Sequence, residues 1–185
     1  MARQQSLFGP DLLPGMSVLA DVVTPAEERD LVARLDESEL APFRFQGWIG
    51  KRLTASFGYH YDFDRGKLDE GAPMPVWIDT LRERAALAAK LAPSELVLLL
   101  TRYDPGAGIG WHRDRSVFDT VVGVSLGAPA LMRFRRRRAG GFDRFTLPLA
   151  PRSLYVLSEE ARYEWEHSIA ELADTRWSVT FRSLG

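Results

Sequence analysis

A histidine and an aspartate stand two residues apart in RYDPGAGIGWHRDRS, at His112 and Asp114. On an extended backbone, residues i and i+2 project to one face, so the imidazole and the carboxylate can meet at one point. The chain has only three histidines. His167, in WEHSI, can supply a third ligand from a distant strand. Two histidines and one carboxylate suit non-haem Fe(II) and leave coordination positions open. H-x-D alone fits equally well a surface histidine in a hydrogen-bonded turn. The remaining histidine, His60, lies in FGYHYDF and reads as a lid residue.

A second pattern closes the chain. In RWSVTFR, alternation puts Arg176, Ser178, Thr180 and Arg182 on one face, and Trp177, Val179 and Phe181 on the other. The apolar face can pack. The polar face offers two planar guanidinium forks, each able to hold a carboxylate bidentately. An edge strand with solvated arginines would read the same way. This strand begins nine residues after His167, so a hairpin would bring the two together.

The elements that must position these groups are legible in part. Thr24, Pro25 and Glu27 form a capping box, which predicts a helix ending near 38–41. A second helix is expected over 75–91. Between them, APFRFQGWIGKRLTASFGYHYDFDRG reads as short strands and loops. From Glu95 the chain becomes short strands separated by turns: ELVLLLTRY, TVVGVSLG, ALMRFRRRR, RFTLPL, RSLYVLS, WEHSIA and RWSVTFRS. The class is α+β with a β core, and such strands can build a jelly roll with an open mouth.

Composition narrows the chemistry. Cysteine is absent, which excludes disulfides, thiolate metal sites and a cysteine nucleophile. No apolar run is long enough to span a bilayer, and residues 1–15 contain no secretory core. A cytoplasmic, membrane-free setting is expected, as is a monomer with no obligate protein partner. The net charge of −1 gives no global attraction to nucleic acid. Arg133 and Arg135 to Arg138 form a local basic cluster.

Taken together and in order, RYDPGAGIGWHRD, VVGVSLGAPALMRF, SEEARYEWEHSI and RWSVTFR resemble the AlkB family of Fe(II)/2-oxoglutarate-dependent dioxygenases. The likeness is strong over residues 95–184. Over residues 1–94 it is loose, resting on QQSLF, then helices, then a lid element, here SFGY. The resemblance implies one domain over 1–185, with a double-stranded β-helix (jelly-roll) core. Residues 1–94 would form an N-terminal extension with helices and a substrate lid, and 95–185 the catalytic core. It implies Fe(II) on His112, Asp114 and His167, with 2-oxoglutarate and O2 as co-substrates. Arg176, helped by Tyr103 and Ser178, would grip the distal carboxylate of 2-oxoglutarate. Arg182 would lie near its keto-acid end, with Thr180 on the same face. Thr101 stands where well-known members carry an asparagine; its hydroxyl still offers one hydrogen bond. The implied reaction is oxidative dealkylation of alkylated bases in DNA or RNA.

A base reaching buried iron must leave its stack and be held by aromatic walls. Trp48, Phe57, Tyr59, Tyr61 and Trp111 are candidates, though each fits plain core packing as well. Arg115 and Arg135 are candidate substrate contacts, and RFRRRR a phosphate groove or a solvated hairpin. Where DNA-repair members often carry an acid after H-x-D, this chain reads Arg115 and Ser116, so base preference is not inherited. Alternatives are a hydroxylase or demethylase of a modified tRNA base or a protein side chain, a jelly-roll module with a degenerate metal site, and a zinc hydrolase. In a zinc hydrolase, R-x5-R would have no task.

Overall fold

The computed structural model describes residues 12–45, 48–62 and 65–185. Its strands, in chain order, are β1 (Met16–Leu19), β2 (Ala41–Phe45), β3 (Trp48–Phe57), β4 (Tyr59–Asp62), β5 (Lys67–Glu70), β6 (Leu96–Tyr103), β7 (Ile109–His112), β8 (Phe118–Gly127), β9 (Ala130–Arg138), β10 (Gly141–Leu149), β11 (Ser153–Leu157), β12 (Glu166–Ile169) and β13 (Arg176–Leu184). Helices are α1 (Pro25–Glu37), α2 (Asp79–Ala89) and α3 (Glu159–Tyr163).

A seven-stranded sheet runs β1-β11-β8-β13-β6-β3-β2, and a four-stranded sheet runs β10-β9-β12-β7. Hairpin β4-β5 stands apart. The two larger sheets, facing each other with helices behind the larger one, form a jelly-roll core. The large sheet is not confined to residues 95–185. β1 pairs with β11 and β3 with β6, so the N-terminal half builds part of it.

The large sheet is two-faced. Its outer face presents Leu98, Leu100, Val122, Val124, Val179 and Phe181, which pack with Leu35 of α1 and Leu81 and Ala85 of α2. Trp177 joins that side and donates from its indole nitrogen to Asp36 at 2.8 Å. Between the sheets a second core gathers Val121, Tyr155 and Leu157 with Met132, Phe134 and Ile169.

Helix α1 starts as its capping box dictates: Thr24 Oγ1 accepts from the Glu27 amide, and Glu27 accepts from the Thr24 amide. The second helix is shorter than the expected 75–91. Pro75 is extended, a 3₁₀ turn covers Val76–Ile78, and Lys90 closes α2 in the left-handed region at φ 58°. Helix α3 and strands β1, β5 and β7 are not foreshadowed by any sequence pattern. No helix among the described residues is long and apolar enough to cross a membrane.

Candidate metal and co-substrate site

His112 ends β7 and His167 sits directly opposite it on β12. The register shifts between His167 and Ile169, whose partners are His112 and Ile109, so β7 carries one extra residue there. Such a bulge re-aims side chains. Here it directs His112 inward while Trp111 meets the guanidiniums of β9. Asp114 follows two residues beyond the strand end. The three side chains each offer one ligand atom, and those atoms lie within 4.8 Å of one another. The imidazole centroids are 4.3 Å apart.

The ring orientation is fixed from behind. His112 Nδ1 lies 2.8 Å from the Gly110 carbonyl oxygen. A carbonyl only accepts, so Nδ1 donates to it and Nε2 is the ring nitrogen turned toward Asp114, 4.0 Å away. Burial and the neighbouring His112 push the His167 pKa down to about 3, against the opposing pull of Asp114. Burial alone would raise the Asp114 pKa. His167, Arg182, His112 and Arg162 together outweigh that and hold it below the usual range. At neutral pH His167 is thus a neutral imidazole and Asp114 a carboxylate, the protonation states a divalent metal requires of them.

The triad opens on a cavity of about 920 Å³ whose floor is the inner face of the large sheet. Strand register arranges that floor in rows. One row holds Tyr103 and Arg176. The next holds Thr54, Thr101, Ser178, Ser125 and Ser153, hydroxyls on five adjacent strands. A third holds Ser56, Leu99, Thr180, Gly123 and Tyr155. Arg182 lies beyond, between Val97 and Val121.

Arg176 is the most informative residue of this floor. It is 1% exposed and one of the largest fully buried side chains. Its Nε donates to Ser125 Oγ at 3.0 Å, yet both terminal nitrogens are buried without any partner among the described residues. Arg182 has a buried, unpaired Nε and its guanidinium lies 4.1 Å from the Phe118 ring centroid. Unpaired buried cations are costly and rarely tolerated unless a ligand completes them. A dicarboxylate fits this requirement, and two imidazoles plus a carboxylate fit Fe(II). The observed residues therefore suit both groups.

Not every expected contact reaches the cavity. Trp111 and Arg115 contribute to its lining. Phe57 does not: it shares parity with Leu53 and Ala55 and packs into the helix-side core. Tyr59 is exposed and absent from the lining. The side chains of Trp48, His60 and Tyr61 lie outside the described residues. Arg135 is also absent from the lining; it pairs with Glu166 at 2.6 Å and stacks on Trp111 and Phe142. The basic cluster is largely neutralised. Arg136 pairs with Glu160, Glu164 and Asp143, and Arg138 with Asp143.

Other residues of the cavity were not expected from sequence. Arg52, Thr54 and Ser56 face inward from β3, with Arg52 stacked 3.8 Å over Phe43. A signal for them exists, because KRLTASF alternates cation and hydroxyl with apolar residues just as RWSVTFR does. Arg162 of α3 is buried and donates to the carbonyls of Arg115 and Phe118, which anchors the turn that follows Asp114. Tyr155 reaches the floor from β11.

A jelly roll that aims two imidazoles and a carboxylate at an unsatisfied buried guanidinium defines a class, the iron(II) oxygenases that use a keto-acid co-substrate. Residues 15–182 match the model of the 2OG-Fe(II) oxygenase superfamily, and the chain belongs to that family, on its AlkB-like branch. It is 31% identical to the alpha-ketoglutarate-dependent dioxygenase AlkB of Escherichia coli (strain K12), over 75% of this chain and 68% of that one. It is also 31% identical to the tRNA (carboxymethyluridine(34)-5-O)-methyltransferase alkbh8 of Xenopus tropicalis, over 89% of this chain. The chain spans only 26% of that relative's length. Among solved structures, OsALKBH1 superimposes with a TM-score of 0.72, covering 94% of this chain and 99% of that one, at 15% identity. That likeness supports the fold. The protein is an Fe(II)/2-oxoglutarate-dependent dioxygenase.

Proposed function

We propose that this dioxygenase oxidatively removes or modifies an alkyl group on a nucleobase of DNA or RNA. His112, Asp114 and His167 would hold the iron. Arg176, with Tyr103 and Ser178, would hold the distal carboxylate of 2-oxoglutarate, and Arg182 would balance its keto-acid end. Bound Fe(II) with 2-oxoglutarate and O2 supplies oxidation of an unactivated C–H bond; one oxygen atom ends in succinate and the other in a new hydroxyl, with loss of CO2. On an N-alkyl carbon the resulting hemiaminal collapses to amine and aldehyde. The chain's own contribution is to fix both groups, to keep the ligands deprotonated and to shape the space above them.

The observation that carries this reading is the cavity itself. It is far larger than a small dicarboxylate needs, and Trp111 at its border leads onto a face where Arg133 and Arg135 stack on that indole. Arg137 and Arg144 extend that face around Phe142 and are exposed. Alternating cations and aromatic rings suit a single nucleic-acid strand.

One observation favours a modified tRNA base over a cationic methylated base. Among the described residues, the carboxylates lining the cavity are Asp114, in the metal set, and Glu166, already paired with Arg135. Arg52, Arg113 and Arg115 also line it. Such a lining repels a positively charged base and accepts a neutral or anionic one. Succinate release across oligonucleotides carrying cationic methylated adenine or cytosine, or neutral and acidic uridine derivatives, tests both readings. Turnover coupled to the uridine set supports the second. Coupling to the cationic set supports repair-type dealkylation, and coupling to neither would overturn the nucleobase proposal.

A further inference from the structure

One position on the inner face of the large sheet lacks a side chain. Gly123 of β8 lies in register between Thr180 of β13 and Tyr155 of β11. A Cβ at residue 123 would fall well inside contact distance of the Cζ, Cε1 and Oη of Tyr155. The tyrosine ring therefore lies flat across the glycine, with its hydroxyl over β8. Gly123 is not among the glycines with positive φ. Glycine is required here for space, not for backbone conformation.

Tyr155 is 6% exposed and lines the cavity. Among the described residues its hydroxyl makes no hydrogen bond, and it is not one of the buried unpaired atoms, so it opens toward the cavity where a ligand can accept from it. The groups acting on it are Arg176, Tyr103, Asp114 and Arg182. By register the phenol's row, with Thr180, falls along β13 between Arg176 and Arg182, and it lines the same cavity as Asp114. Burial pushes its pKa up, so it remains a protonated donor throughout the working range.

We propose that Tyr155 is a co-substrate-positioning residue, whose hydroxyl, laid over Gly123, donates a hydrogen bond to 2-oxoglutarate held between Arg176 and the metal ligands. The arginines supply charge, which attracts without fixing where the acid lies along the floor. A neutral donor between them supplies direction. Gly123 and Tyr155 form one device, since any side chain at 123 evicts the ring.

Calorimetric titration of 2-oxoglutarate into Mn(II)-loaded protein tests this without turnover. Tyr155→Phe keeps the ring and loses only the hydroxyl. Its Kd should rise roughly tenfold, the loss of one hydrogen bond to a charged partner. The Tm of the metal-free protein should stay at the wild-type value. Gly123→Ala should raise Kd at least as much by displacing the ring. A wild-type Kd for Tyr155→Phe would overturn the proposal, whatever its Tm.

Discussion

The two faces of the large sheet share the same backbone ladder and differ entirely in what their side chains do. On β13, Trp177, Val179 and Phe181 face the helices, while Arg176, Ser178, Thr180 and Arg182 face the cavity. On β3, Phe57 takes the helix side, and Arg52, Thr54 and Ser56 the cavity side. The outer face supplies stability through apolar burial. The inner face leaves arginine atoms buried without partners, which costs stability in the empty protein. Substitutions on the two faces should therefore fail in different assays.

The largest effect is expected at the metal end of the inner face. His112→Ala or Asp114→Ala should reduce succinate release to background, while the circular dichroism spectrum and the metal-free Tm stay near wild type. Normal succinate release by either variant would contradict the ligand assignment. On the outer face, Phe181→Ala should cost about 3–5 kcal/mol of stability in a denaturant titration. The fraction that remains folded should keep its KM for 2-oxoglutarate.

Arg176→Ala should do the reverse. Loss of its charge-assisted bonds, about 1.5–3 kcal/mol each, should raise the KM for 2-oxoglutarate on the order of a hundredfold. Its metal-free Tm should be unchanged or higher, because an unpaired buried cation has gone. A collapse in Tm with unaltered KM would make the arginine structural and erase the contrast between faces. A smaller effect is expected outside the cavity. Arg137→Glu with Arg144→Glu should weaken single-stranded oligonucleotide binding several-fold and lower its salt slope by roughly 0.7 per lost phosphate contact. Arg138→Glu should do less, since that side chain already faces Asp143.

The smallest effect lies at the start of α1. The Arg84 guanidinium, with the Thr24 amide, holds the Glu27 carboxyl down at about 2 against an ordinary 4.5. A depressed folded pKa contributes stability that is complete above 4.5 and fades as pH falls toward 2. The pair is solvent-exposed, so the contribution is small. Glu27→Gln should flatten the Tm profile between those limits; an identical profile would show that the pair contributes nothing.

The sequence displays the site more clearly than its surroundings. H-x-D and the alternation of RWSVTFR are local patterns, and the fold preserves them. KRLTASF carries the same alternation, but judging Phe57 by its ring alone puts it on the wrong face. Parity, not residue type, decides which side of a strand a ring takes. The bulge at β7 is not legible, because a shift of register belongs to a strand pair and not to one segment. Nor is the fate of the arginine run. Its acids come from Glu160 and Glu164, on and beside a five-residue helix too short to show periodicity. Gly123 and Tyr155 are far apart in the chain and become neighbours only through β8–β11 pairing.

The central claim is that three ligands and a pair of inward arginines serve a single bound iron and keto acid. Anaerobic titration of the purified protein with Fe(II) and 2-oxoglutarate tests it most directly. A weak visible metal-to-ligand charge-transfer band should grow to one equivalent of each, vanish in His112→Ala and require far more 2-oxoglutarate in Arg176→Ala. No band in the wild-type protein, or the same band in His112→Ala, would contradict the account.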